Sequence, residues 1–299
     1  MTIEVGAKSD LGKRKQTNED NYATYLPGDS GLPNLKDGGL LVLADGLGGH
    51  FAGEVASKLA VTIMQDFLNA ERDQSSNIPK LLAETATKAN AQIHGANRGL
   101  KGFFRPMGTT LTGVFVEGDK AYFCHVGDSR GYLLRGSEIE QVTQDHSWVD
   151  EQVRMGLMTL EEARRDPRRN VLTRTLGTRP ETQIETYERG LCPGDILVLC
   201  SDGLSNMVRD AEILKTCTEA ETPQEAAEKL VNLANERGAP DNVTAVVSVV
   251  EPSRSQLASK KLRRSAKQAL RTALITLLIS AAAIGLILLG YYFGKNSTL

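Results

Sequence analysis

Leu40-Leu41-Val42-Leu43-Ala44-Asp45-Gly46-Leu47-Gly48-Gly49-His50 is a short apolar run that stops on an aspartate and a glycine-rich turn. Five apolar residues in succession are too few for an ordinary helix and read as a strand with both faces buried. The pattern recurs. Ile196-Leu197-Val198-Leu199-Cys200-Ser201 runs into Asp202-Gly203, Ala121-Tyr122-Phe123-Cys124-His125-Val126 ends at Gly127-Asp128, and Asp241-Asn242 opens the run 243–250. A further strand is expected at 111–116, joined to 121–126 by the hairpin connection Glu117-Gly118-Asp119-Lys120. Leu134-Arg135-Gly136-Ser137 resembles a second connection. Helical patterns lie at 53–70, 78–98, 147–155, 159–165 and 223–237, with Asn77-Ile78-Pro79 and Thr222-Pro223 as starts. Strands come in runs and helices in pairs, without strict βαβ alternation, which predicts an α+β domain with antiparallel sheets.

Four carboxylates, Asp45, Asp128, Asp202 and Asp241, thus stand at the ends of predicted strands, beside residues expected to be buried. A lone Asp-Gly after a strand is an ordinary turn; four in the same placement form a pattern. Where such ends converge, unpaired carboxylates raise one another's pKa values, and a divalent cation relieves the strain directly. Oxygen-only ligation suits Mg²⁺ or Mn²⁺ rather than zinc. Near the N-terminus, Lys13-Arg14-Lys15 precedes Asn18-Glu19-Asp20. These are either a solvated surface pair or, beside a metal centre, a clamp for a phosphate dianion.

The 299 residues are 40% hydrophobic and 24% charged, which excludes disorder or collagen for the whole chain. The net charge of −2 hides a split: eight Lys/Arg against one Glu after residue 250 give +7, leaving −9 for the body. So acidic a body argues against nucleic acid as a partner. Cys124, Cys192, Cys200 and Cys217 show no C-x-x-C spacing, so neither a disulfide framework nor a thiolate zinc site is expected. Met1-Thr2-Ile3-Glu4-Val5 shows no signal-peptide pattern.

Residues 272–294 are 23 in a row without charge, apolar on all sides, and as a helix long enough to cross a bilayer. A buried core helix is the competing reading. Seven Lys/Arg between Arg254 and Arg271 precede the stretch and only Lys295 follows it, which favours a span with the body on the cytoplasmic side and contact with anionic lipid. The expected organisation is a domain at 1–250, a basic juxtamembrane linker at 251–271, a transmembrane helix at 272–294 and a short tail at 295–299.

Asn18-Glu19-Asp20-Asn21, Ala44-Asp45-Gly46-Leu47-Gly48-Gly49-His50, Met107-Gly108-Thr109-Thr110, Val126-Gly127-Asp128-Ser129-Arg130, Cys200-Ser201-Asp202-Gly203-Leu204 and Pro240-Asp241-Asn242-Val243-Thr244 occur in the order seen in the PP2C family, the PPM-type metal-dependent protein serine/threonine phosphatases. The chain resembles that family over about residues 3–250, and residues 145–178 look like the flap segment of its bacterial members. The resemblance implies an αββα sandwich of two antiparallel sheets flanked by helices, with two or three Mn²⁺ or Mg²⁺ ions. By motif position, Asp45 would bridge two ions, the Gly46 carbonyl would bind one, and Asp202 and Asp241 would complete the first. Asp20 would act through water, Glu19 is a further candidate ligand, and Asp128 with Asp202 matches the third-metal site of bacterial members. The implied reaction is hydrolysis of phosphoserine and phosphothreonine on proteins by a metal-bridged hydroxide attacking phosphorus in line.

Two positions depart from the family's pattern. Lys15 stands where an arginine is usual, with Arg14 beside it, so either could meet the phosphate. Leu47 stands where animal members carry a histidine as the presumed leaving-group acid, and His50, three residues on, is the remaining candidate. His125 reads as a packed core residue and His94 as a helix residue without a partner. The alternative function is a weak or inactive relative that binds phosphoproteins or scaffolds a complex. A membrane tether would make phosphoproteins at that surface, Ser/Thr kinases or their substrates, the natural partners.

Overall fold

Along Gly39–Leu47 the side chains divide by parity: Leu40, Val42 and Ala44 enter one core, Leu41 and Leu43 another. Residues of a strand alternate between its faces, so an unbroken apolar run means that both faces are covered. This is a computed structural model, and it describes residues 1–29, 35, 37–48, 52–69, 77–99 and 106–252. The expected transmembrane helix and tail lie outside the described residues, as does most of the basic linker; among the described residues no helix is long and apolar enough to cross a membrane.

Eleven strands are described: β1 (Thr2–Asp10), β2 (Asp20–Tyr25), β3 (Gly39–Leu47), β4 (Gly108–Thr109), β5 (Leu111–Glu117), β6 (Lys120–Val126), β7 (Arg130–Arg135), β8 (Glu138–Gln141), β9 (Glu185–Gly190), β10 (Ile196–Cys200) and β11 (Val243–Glu251). They form two antiparallel sheets, one in the order β1-β11-β10-β7-β8, the other β2-β3-β5-β6-β9 with β4 paired to β3. Eight helices accompany them: α1 (Ala52–Met64), α2 (Asp66–Asn69), α3 (Ile78–Gly99), α4 (Trp148–Arg154), α5 (Leu160–Arg165), α6 (Asp202–Ser205), α7 (Asp210–Glu219) and α8 (Pro223–Glu236).

Three apolar layers result. Leu41, Leu43, Val114 and Phe123 of one sheet meet Leu197, Leu199 and Val246 of the other. The outer face of the β3 sheet packs on α1–α3, and that of the β10 sheet on α6–α8. Helix α8 presses directly on β1: a Cβ at Gly6 would lie 2.1 Å from the Gln224 backbone nitrogen, so no side chain fits there. The Gln224 side chain in turn bonds both the N–H and the C=O of Ala7.

The α+β class and antiparallel sheets agree with the expectation, and the differences have a physical cause. Three of the four sheet edges, β1, β2 and β9, fall outside the expected strands, and the fourth, β8, is anticipated only through the connection expected at 134–137. Edge strands are half solvated and carry charge, as in Glu138-Ile139-Glu140-Gln141, so they lack the continuous apolar run of central strands. The helix expected over 53–70 is interrupted at Gln65, giving α1 and α2. His94 does have a partner, its Nδ1 lying 3.1 Å from the Gly177 carbonyl. His125 is fully buried in β6, between the Thr112 hydroxyl and the Gln144 carbonyl, and burial followed by the neighbouring His146 pushes its pKa down to about 3.

Candidate metal centre

The acidic residues come from two directions. Asp20 begins β2 and faces Asp45 across the β2–β3 ladder of one sheet. Asp202 follows β10 at the start of α6, and Asp241 lies two residues before β11, both at strand ends of the other sheet. The Asp45 and Asp202 carboxyls are within hydrogen-bond reach of each other, a contact that demands a shared proton or a shared cation. Burial, then the charges of Asp20, Asp202, Asp128 and Asp241, holds Asp45 well above the ordinary carboxylate range. Burial and Asp241 push Asp202 up to about 6. Asp128, on the turn after β6, is raised by burial and then by Asp202 and Asp145.

Asp20 is held with care. The hydroxyls of Thr244 and Ser201 both donate to its Oδ2, at 2.6 and 2.8 Å. The Thr244 hydroxyl lies 2.7 Å from Ser9 Oγ, which accepts from the Asn18 amide at 2.8 Å. Because the Thr244 proton goes to Asp20, Ser9 must donate to Thr244, so the chain of donors runs one way and ends on Asp20. Its other oxygen, Oδ1, is buried without a hydrogen-bond partner, as is Glu19 Oε1. Burial pushes Asp20 up to about 7 against these donors, and burial also raises Glu19.

Lys15 reaches into the cluster, its Nζ 2.6 Å from Asp241 Oδ1 and 3.8 Å from Glu19 Oε2. Burial lowers its pKa, but the hydrogen bond and charge of Asp241, then Glu19 and Asp45, outweigh this and leave it raised. Arg14 is exposed. Gly46 receives Glu19 at close quarters: its N–H donates to the Glu19 carbonyl at 3.1 Å, and a Cβ would stand 2.7 Å from that oxygen and 2.3 Å from the Gly53 carbonyl. His50 lies outside the described residues.

Among the described residues, no three His, Cys, Asp or Glu side chains are already gathered as a ligand set. Asp241 is turned to Lys15, while Asp45 and Asp202 engage each other. The chemistry nevertheless fits a hard divalent cation. The donors are all oxygen, burial and then mutual repulsion raise the pKa values of Asp20, Asp45, Asp128 and Asp202, and two carboxylate oxygens are buried without a partner.

Residues that the sequence reading quoted but gave no role do the holding. Asn242, 2% exposed, accepts from the Glu19 N–H at 2.9 Å and donates to the carbonyls of Leu11 and Thr17 at 3.1 and 3.0 Å. Ser201 and Thr244 fix Asp20. Each adjoins or nearly adjoins an aspartate in the chain, a proximity that flags the position but not the distant partner it holds. Asn242→Ala removes all three bonds and strands the Glu19 N–H. The expected loss is about 2–3 kcal/mol, seen in calorimetry as a thermal midpoint lowered by about 4–12 °C. An unchanged midpoint would mean that something else holds the 17–20 segment.

A cavity of about 840 Å³ adjoins the centre. Asp128, Asp202 and Asp241 line one side, Val149 and Leu160 of the α4–α5 segment another. In its wall, Arg130 forks onto Asp145, with Nε and Nη2 at 2.9 and 2.7 Å from Oδ2.

The protein phosphatase 2C family profile matches residues 13–248. Protein phosphatase PhpP of Streptococcus pneumoniae is 35% identical over 251 residues, covering 83% of this chain and 98% of that one. The crystal structure of the Mycobacterium tuberculosis serine/threonine phosphatase PstP/Ppp superposes with a TM-score of 0.74 at 35% identity, over 84% of this chain and all of that one. A structure of the PstP catalytic domain in complex with two manganese ions gives a TM-score of 0.71 at 35% identity, over 84% and 99%.

Proposed function

Because the chain belongs to the protein phosphatase 2C family and is a serine/threonine protein phosphatase, we propose that it hydrolyses phosphoserine and phosphothreonine esters of proteins with Mn²⁺ or Mg²⁺ held by Asp45, Asp202 and Asp241. The Gly46 carbonyl, Glu19 and Asp20 would complete the surroundings, and Asp128 with Asp202 would hold a third ion. The observation that carries this reading is the meeting of acidic strand ends from two sheets, with Glu19 Oε1 and Asp20 Oδ1 buried and unpartnered. When bound, such ions polarise the phosphoryl group and acidify water enough to serve as nucleophile near neutral pH.

The chain's own residues do the rest. Two hydroxyl donors consume Asp20 Oδ2, so that carboxylate presents only Oδ1 to the centre. Lys15, already drawn to Asp241, brings a cation to the side where a phosphate dianion would dock. As a point charge it orients the dianion less tightly than an arginine fork. The complete acidic set favours catalysis over the alternative of a weak or inactive scaffold, which Lys15 leaves open. The finer reading places the domain at the cytoplasmic face of a membrane through residues 272–294, with phosphoproteins there, Ser/Thr kinases or their substrates, as its targets. Confinement to one surface raises effective concentration and lets modest affinity suffice.

The test is phosphate release from a phosphothreonine peptide by the full chain. Turnover is expected with Mn²⁺, abolition with excess EDTA, and recovery when Mn²⁺ is returned. Release unaffected by EDTA, or none with either ion, would sink the proposal.

A further inference from the structure

The turn that carries Asp128 is held on both sides. After it, Ser129 Oγ lies 2.8 Å from Thr110 Oγ1, and its carbonyl accepts from the Thr112 hydroxyl at 3.1 Å. Before it, His146 grips Gly127 twice. The Gly127 N–H donates to His146 Nδ1 at 3.0 Å, and the His146 N–H donates to the Gly127 carbonyl at 2.7 Å. Gly127 has φ +112°, and a Cβ there would stand 2.5 Å from Thr110 Cγ2, so the turn has little room to shift.

These contacts fix the imidazole's tautomer. A backbone N–H only donates, so Nδ1 carries no proton and Nε2 does. Nε2 lies 3.2 Å from Glu185 Oε1 and 3.4 Å from Arg174 Nη1. An N–H cannot donate to a guanidinium, so Glu185 is the acceptor. Arg174 donates to the same carboxylate oxygen at 2.8 Å, and the Tyr187 hydroxyl donates to the other. Burial lowers the pKa of His146, which is 1% exposed, and outweighs the pull of Glu185. On its far side the His146 carbonyl accepts from Thr173 at 2.8 Å. Its neighbours are tied as well: Asp145 to Arg130, and Ser147 as the N-cap of α4.

A leucine would fill this buried volume without a polar network to satisfy. An imidazole here instead spends one nitrogen on a charged network and aims the other's lone pair at the residue before Asp128. We propose that His146 is a positioning residue: through the Gly127 backbone it sets the Asp128 carboxylate towards Asp202, and it ties that setting to the 145–173 segment that walls the cavity. The inference rests on reading Asp128 as an ion ligand. Outer partners that orient a ligand tune metal affinity without touching the ion.

Two substitutions separate this role from packing. His146→Asn keeps an acceptor oxygen close to where Nδ1 stands. His146→Gln carries its polar end towards Nε2 and leaves the Gly127 N–H unpaired. Mn²⁺ is titrated calorimetrically into the full chain, and the site in question is the one that Asp128→Asn removes. His146→Gln is expected to weaken that site by about 10–100-fold, with kcat lowered and KM for a phosphothreonine peptide little changed. His146→Asn should bind Mn²⁺ there at least about fivefold more tightly than His146→Gln. Exchange of the Gly127 amide should quicken in the Gln variant more than in the Asn variant. Should His146→Gln fail to fold, Glu185→Leu, which leaves the Nε2–H without its acceptor and so loosens the ring's hold on Gly127, is read in its place and should weaken the same site. Equal Mn²⁺ titrations for folded Gln and Asn variants overturn the proposal. If Asp128→Asn removes no Mn²⁺ site, the reading of Asp128 fails first and the inference falls with it.

Discussion

Asp45→Asn lowers Mn²⁺-dependent phosphate release from a phosphothreonine peptide by on the order of 10³-fold or more, the scale expected when a member of a cooperating catalytic set is lost. The same substitution makes the EDTA-treated protein more stable. Asp45 is buried among Asp20, Asp202, Asp128 and Asp241, all of which disfavour its charge, and asparagine keeps the shape while removing the repulsion. A thermal midpoint raised by about 2–4 °C corresponds to roughly 1 kcal/mol in a domain of this size. Activity and stability thus move in opposite directions, as at sites where strain serves function. Phosphate release within tenfold of wild type, or a lowered midpoint in EDTA, would contradict the role given to Asp45.

Arg130→Leu has the largest expected effect on stability. Arg130 forks onto Asp145, which is 6% exposed, and also reaches the Tyr132 hydroxyl at 3.3 Å, which donates to Asp210 at 3.2 Å. Removing one partner of a buried pair leaves the other charge uncompensated, at a cost of about 3–5 kcal/mol. The midpoint should fall by about 6–20 °C. The double variant Arg130→Leu/Asp145→Leu should recover much of that loss, because the penalty lies in the stranded carboxylate more than in the missing attraction. A double variant no more stable than Arg130→Leu alone would place the cost in packing instead.

The sequence shows its central strands plainly and its edges hardly at all. Gly39–Leu47 and Ile196–Cys200 are covered on both faces, so each is a run that no surface element imitates. Glu185–Gly190 lies at an edge, and its charges hide it among loops. The acidic positions could be singled out because each stands at the end of such a run. That Lys15 would turn into the cluster was not legible: three consecutive basic residues offer no sign of which one points inward. Nor was the role of Ser201, Thr244 and Asn242, whose partners lie more than 180 residues away in the chain. Short polar side chains announce a long-range bond only when the fold has brought both ends together.

Asp20 and Asp45 ride on one sheet, while Asp202 and Asp241 stand just beyond strand ends of the other. Their spacing is therefore set by the thickness of the oily filling between the two plates. Leu43 and Leu199 are both wholly buried in that filling and carry no polar group to offer a substrate, yet they act as shims. Trimming either one would alter the gauge of the jaws, so the tolerance of the reaction is written partly in residues with no chemistry of their own.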